Sequence, residues 1–165
     1  MSQKLTQDKN NQQRFQQKIN VFSEITKEIA ALSVASRLKV GAIAVRKDFS
    51  KIASFGYNGS YSNAPINENT GTEEESLIPG ESGMIHAEIN LIAKFRENDP
   101  ENYAIIISHS PCKMCTKVLV NAGFRNIHWL EEYRDTSHLT EIFERTGVAG
   151  CNVKDLTDSF GCINC

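Results

Sequence analysis

No stretch of this chain approaches the roughly 18 consecutive apolar residues needed to cross a bilayer. The opening segment, MSQKLTQDKNNQQRFQQ, also has no apolar centre of the kind a secretory signal carries. A cytoplasmic protein with no membrane partner is therefore expected. Excess charge is lacking too: 18 Lys and Arg stand against 20 Asp and Glu, a formal net charge of -2. A near-neutral chain has no general attraction for a polyanion, which counts against a broad nucleic-acid surface. Cysteines number only five, and a 165-residue chain buries enough surface to fold without disulfides. In a reducing compartment they read as metal ligands or free thiols. Length and composition indicate a single domain over residues 1–165.

Residues 1–12 are polar and Gln/Asn-rich, and are expected to be a flexible lead-in. Phe15, Ile19, Phe22, Ile25, Ile29 and Leu32 then recur at three- and four-residue steps, which predicts an amphipathic helix running to about Ser36. Short β-rich runs at 40–45 and 52–57 flank a hairpin turn. A loop over 58–84 follows, carrying Glu73, Glu74 and Glu75; a loop of that length is usually functional or mobile. Further on come a helix over 85–95, a buried strand over 104–108, and a helix from Pro111 to Gly123. A strand at 127–130, a helix capped by Thr136 or Ser137 and ending near Gly147, and a weaker strand over 151–156 complete the pattern. Residues 157–165 form a tail. After the hairpin, strands alternate with helices, which implies crossover connections and a mixed sheet covered by helices on both faces: an α/β protein with five strands.

Two segments carry chemistry: His86-Ala87-Glu88 and Pro111-Cys112-Lys113-Met114-Cys115. Cys112 and Cys115 share one face of a helix and can reach one ion. With His86 they make a zinc-binding set of three, leaving a fourth position for water. Both segments sit at predicted helix starts, where free N–H groups favour thiolate. There Glu88 can lean toward the same locus and move protons without binding the ion. Each segment alone is weak, since a lone Cys-x-x-Cys also suits a redox pair or half of a structural zinc site. Taken together they match the signature of zinc nucleobase deaminases.

The chain resembles the deoxycytidylate (dCMP) deaminase family of the cytidine-deaminase-like superfamily, including its phage-type members. The likeness covers about residues 25–155. It rests on the run from Ser33 to Ala42, on Gly56-Tyr57-Asn58-Gly59, Ile85-His86-Ala87-Glu88, the run from Ser108 to Cys115, Asn121-Ala122-Gly123 and Glu132-Tyr133-Arg134-Asp135. The resemblance implies a three-layer α/β/α cytidine-deaminase-like fold and one catalytic Zn2+ held by His86, Cys112 and Cys115. It further implies attack of activated water on C4 of cytosine, with Glu88 as the catalytic proton carrier. By the same likeness the Ala87 N–H meets the base O2, the Ser110 carbonyl meets the amino group, Asn58 meets the sugar 3′-hydroxyl, and Ile85 and Tyr133 flank the base. Asn58 also reads as a plain turn residue before Gly59. Ile85 and Tyr133 also read as ordinary packing residues.

A monophosphate needs a cation. Arg37, with its planar fork, suits one, and Ser33 and Ser36 add hydroxyl donors; a solvated Arg at a helix end is the plainer reading. The resemblance also implies a homohexamer, with dCTP and dTTP as effectors and Mg2+ accompanying the allosteric nucleotide. No Cys or His lies between Asn58 and Ile85, so the second, structural zinc of some family members is not expected there. Cys151, Cys162 and Cys165 could form a tail zinc site or remain reduced. His109, His128 and Trp129 read as packing or supporting residues. Three functions are in play: a deaminase of dCMP or another cytosine nucleotide, a nucleic-acid editing deaminase of the tRNA-adenosine type, and a non-catalytic zinc or redox module.

Overall fold

The computed structural model describes residues 2–62, 84–133 and 135–160. The three glutamates at 73–75 and the tail cysteines Cys162 and Cys165 lie outside the described residues. Helix α1 spans Ser2–Ala31 and leads into the hairpin β1 (Gly41–Arg46) and β2 (Ile52–Tyr57). Then follow α2 (Ala87–Lys94), β3 (Tyr103–His109), α3 (Lys113–Asn121), β4 (Asn126–Glu131), α4 (Ser137–Thr146) and β5 (Ala149–Asn152). The element order is the one the patterning predicts.

The five strands form one sheet in the order β2-β1-β3-β4-β5. β1 is antiparallel to both β2 and β3, whereas β3, β4 and β5 run parallel. Alternation along each strand sorts the side chains into two layers. Ala42, Ala44, Tyr103, Ile105, Ile107, Ile127 and Trp129 pack with Ala87 and Leu91 of α2, Leu119 of α3, and Leu139 and Phe143 of α4. Ile43, Val45, Ala104, Ile106 and Leu130 face Phe15 and Ile19 of α1 together with Val153, Leu156 and Phe160 of the closing segment. Helices thus cover both faces of a mixed sheet, in three layers. Each fully enclosed Ile or Leu contributes roughly 1.5–3 kcal/mol by leaving water.

Several boundaries differ from expectation. The helix expected from about residue 13 begins at Ser2. Residues 7–14 are exposed all round, so good helix formers such as Gln, Lys and Arg extend it without a packing face. At its other end α1 stops at Ala31, not Ser36. The Ser33 hydroxyl donates to the Asn58 carbonyl at 2.7 Å and accepts from the Ala35 N–H at 3.1 Å, drawing the chain out of the helix. Gly147 ends α4 at φ 67°, a conformation glycine adopts without strain. The last strand starts two residues early and passes into a short 3-10 turn at Val153–Asp155.

The tail zinc is corrected. Cys151 is disulfide-bonded, and a sulfur so engaged has no thiolate to offer an ion.

Buried His128 on β4 packs against Cys151 and Phe160, its Nδ1 3.6 Å from Cys151 Sγ. Its Nε2 meets no hydrogen-bond partner among the described residues. Burial pushes the imidazole down to about 4 from an ordinary 6.5, and a hydrogen bond to the Cys151 backbone offsets only part of this. Above pH 6.5 the ring is neutral in folded and unfolded chains alike. Between 6.5 and about 4 only the unfolded chain takes the proton, so stability falls as pH falls through that window. The expected loss is about 1.4 kcal/mol per pH unit at its steepest. Urea midpoints at pH 7.5 and pH 5 should separate more for the native chain than for His128→Leu. An equal separation in both would remove His128 as the cause.

Candidate active site

Both chemistry-bearing segments begin helices. His86 is the N-cap of α2 (φ -68°, ψ 152°) and Cys112 the N-cap of α3 (φ -68°, ψ 163°). An N-cap keeps extended backbone, so its side chain projects past the helix end, where unpaired N–H groups concentrate positive charge. Cys112 Sγ accepts the Cys115 N–H at 3.5 Å. His86 Nδ1 lies 3.7 Å from Cys112 Sγ and 3.4 Å from Cys115 Sγ. The three donor atoms all fall within 4.8 Å of one another. A tetrahedral zinc ion holds nitrogen and sulfur ligands about 3.6 Å apart, so this imidazole and two sulfurs fit zinc and leave a fourth corner open.

The cysteines share one proton. Cys112 is lowered to about 3 by the hydrogen bond from the Cys115 thiol, with His86 and the Cys115 N–H adding to it. Cys115 is pushed up because it donates to that thiolate, is buried, and faces Glu88. Glu88, the second residue of α2, is 4% exposed. Desolvation holds its carboxyl above the ordinary range, and the charge of Cys112 adds to this. A carboxyl so placed has the burial and the raised pKa that suit proton transfer beside the cluster.

Close backbone contact positions α2. A Cβ at Gly56 of β2 would lie 2.5 Å from the Leu91 N and would overlap the Ala87 carbonyl oxygen. Only glycine lets the helix sit this near the strand. Ile85, expected inside the helix, instead pairs with Gly59: each N–H donates to the other's carbonyl, at 2.7 and 3.1 Å. That bridge brings Asn58 beside His86.

Asn58 is a buried junction. Its Oδ1 accepts from Val40 N–H at 2.7 Å, its Nδ2 donates to Leu38 O at 2.8 Å, and its carbonyl accepts from Ser33. The segment carrying exposed Ser36 and Arg37 is therefore anchored at both ends on one residue. Ser33 is buried and occupied in that anchor. Ala87 is fully buried; as the first residue of α2 its N–H lies outside the helical ladder.

Across the site, Ser110 fixes the chain after β4. Its N–H donates to Glu131 O at 2.8 Å, and its hydroxyl accepts from Tyr133 N–H at 2.8 Å and donates to Tyr133 O at 3.2 Å. Tyr133 is 38% exposed, and His109 meets it edge-on at 6.1 Å. His109, lowered by burial, contacts Ser108 Oγ at 3.1 Å through Nδ1.

Sequence reasoning did not single out His138 of α4, whose Nε2 lies 3.1 Å from the Pro111 carbonyl oxygen. No local spacing signals a contact between residues 27 apart. A cavity of about 520 Å³ lies elsewhere, between α4 and β5. Among the described residues its lining includes Glu132, Glu144 and Asp155 and no Lys or Arg, the wrong sign for a phosphate ester.

A three-layer mixed sheet with a His, two Cys and a buried Glu at two helix starts defines a zinc-binding deaminase architecture. The chain belongs to the cytidine and deoxycytidylate deaminase family: residues 16–131 match its zinc-binding region. It is 32% identical over 124 residues to ComE operon protein 2 of Bacillus subtilis, a match covering 73% of this chain and 62% of that protein. It is 27% identical over 116 residues to human deoxycytidylate deaminase, covering 67% and 65% respectively. The chain thus spans less than two thirds of the length of either relative. The structure of dCMP deaminase from the cyanophage S-TIM5 shares the fold, with a TM-score of 0.64 at 24% identity over 81% of this chain and 95% of that one. The same phage protein in complex with dCMP and dUMP matches at a TM-score of 0.58 and 24% identity, over 85% of this chain and 94% of that one. Among the described residues no helix is long and apolar enough to cross a membrane.

Proposed function

We propose that this chain hydrolyses dCMP to dUMP and ammonia in the cytoplasm, feeding a thymidine nucleotide supply. The observation carrying the reading is the buried Glu88 beside three metal-ligating atoms within 4.8 Å of one another. His86, Cys112 and Cys115 would hold the zinc ion, which when bound supplies a Lewis acid and an open coordination position.

The chain's own residues do the rest. Glu88 takes a proton from water and delivers it to N3 of the base as the water oxygen bonds to C4, then carries that oxygen's remaining proton to the departing amine. The C4–N bond breaks, a C4 carbonyl forms, and ammonia leaves. The Ala87 N–H, free of the helical ladder, orients the base O2. The Ser110 carbonyl receives the amino group, and Ile85 and Tyr133 flank the ring. Asn58 serves the sugar side while tying the 33–40 segment to the end of β2. Arg37, with Ser36 beside it, takes the 5′-phosphate. Ser33 acts there through its anchor to Asn58. The reading carries with it a homohexamer regulated by dCTP and dTTP with Mg2+.

Ammonia release from dCMP, deoxycytidine, dCTP, 5-methyl-dCMP, adenosine, RNA and single-stranded DNA tests it, with and without dCTP. dCMP should be the fastest. Preference for a polynucleotide would reverse the assignment. Arg37→Ala should lower kcat/KM for dCMP by about 10²-fold, as expected for a lost charge-assisted pair, and change deoxycytidine turnover little. Equal losses on both would remove the phosphate role.

A further inference from the structure

We propose that His138 is a positioning residue of the metal centre, holding the Pro111 carbonyl and through it the Cys112 sulfur. The inference rests on the reading of His86, Cys112 and Cys115 as zinc ligands.

Cys112 differs from Cys115 in what holds it. Cys115 is buried inside α3, whereas Cys112 is exposed at the helix cap. From the helix side, Cys112 is fixed through its carbonyl, which accepts the Thr116 N–H and hydroxyl, both at 2.9 Å. From the other side it is fixed only through the residues before it. Pro111 is buried, and its carbonyl shares a rigid peptide plane with the Cys112 nitrogen. Orienting that carbonyl sets the direction in which the Cys112 side chain leaves the backbone.

The carbonyl stands outside the α3 ladder, because the Cys115 N–H that would reach back to it donates to Cys112 Sγ instead. His138 Nε2 supplies the hydrogen bond in its place, at 3.1 Å. A carbonyl only accepts, so in this contact Nε2 carries the hydrogen.

His138 is itself firmly placed. Asp135 accepts the Ser137 N–H and hydroxyl, each at 2.8 Å, closing the first turn of α4. Buried Leu139, next along, packs α4 into the core. Ser110, one residue before Pro111, is tied to Glu131 and Tyr133. The approach to Cys112 is thus braced from Glu131 at the end of β4, from Tyr133 just after it, and from His138 in the first turn of α4.

The test compares His138→Leu, which keeps the bulk and removes the donor, with His138→Gln, whose amide nitrogen can reach the same carbonyl. Zinc release from the full chain into excess 4-(2-pyridylazo)resorcinol is timed, and visible spectra of the Co2+-substituted proteins are recorded alongside thermal melts. His138→Leu should release zinc about 10-fold faster or more, the usual cost of losing a supporting contact at a metal site. Its thiolate-to-cobalt bands should shift, and His138→Gln should restore both. Release at the native rate from His138→Leu, even with a lowered melting temperature, would show a structural residue only and overturn the proposal. So would a His138→Gln protein as labile as His138→Leu. A native chain that takes up neither metal would instead overturn the ligand set and the proposed function with it.

Discussion

Glu88→Gln should lower turnover by about 10²–10⁴-fold, the range that general acid–base catalysis supplies, while zinc content stays native. The amide matches the carboxyl in shape but cannot take a proton from water and hand it on. Stability should not suffer. Burial holds the carboxyl above its ordinary range, so the charged form is costly in the fold and a neutral amide relieves that cost. The melting temperature should be equal to or above native. Ammonia release at saturating dCMP, zinc analysis and a thermal melt decide it. If turnover stayed within tenfold of native, Glu88 would not be the proton carrier. If zinc were lost with the carboxyl, Glu88 would belong to the ligand set.

Gly56→Ala should damage the same centre from behind. The added methyl meets backbone of α2 at Ala87, Asn90 and Leu91, and backbone cannot rotate away as a side chain can. The helix must move, carrying His86 and Glu88 with it, while Cys112 and Cys115 stay on α3. Overpacking of this kind costs about 1–3 kcal/mol, and a displacement near 1 Å at a reacting centre costs about 10²-fold in rate. Gly59→Ala, three residues on, is the control. Among the described residues a Cβ there meets nothing within 4 Å, and near-native activity is expected. Circular dichroism melts with kcat for both variants make the comparison. A Gly56→Ala enzyme with native kcat would show that α2 need not lie so close.

The clustering of His86, Cys112 and Cys115 and the order of elements along the chain were legible because each rests on short-range pattern. The continuous apolar runs of β1 and β3, buried on both faces, the helix-start positions of His86 and Cys112, and the three-residue step from Cys112 to Cys115 are all local. What escaped depends on partners far along the chain. Helix α1 ends where Ser33 finds Asn58, 25 residues on, and α2 begins late because Ile85 pairs with Gly59. Asn58 reads in sequence as a turn or a sugar contact, and no local pattern announces the tie its amide makes between Leu38 and Val40. His138 carries no motif, and its meaning comes only from Pro111. The extended start of α1 was missed for the opposite reason: helix propensity there is high but no apolar stripe announces it. The Cys151 disulfide went against an expectation drawn from compartment and chain size rather than from packing.

Because His86 and Cys112 are cap residues, two of the three candidate ligands stand at the head of the first turns of α2 and α3. A divalent ion clasping both caps would act as a rivet between two helix ends that the bridge to Gly59 and the hold on Pro111 fasten separately. Its binding energy would then be spent partly on closing those turns. The loaded protein should gain most stiffness at those paired caps, where the proposed function seats the base.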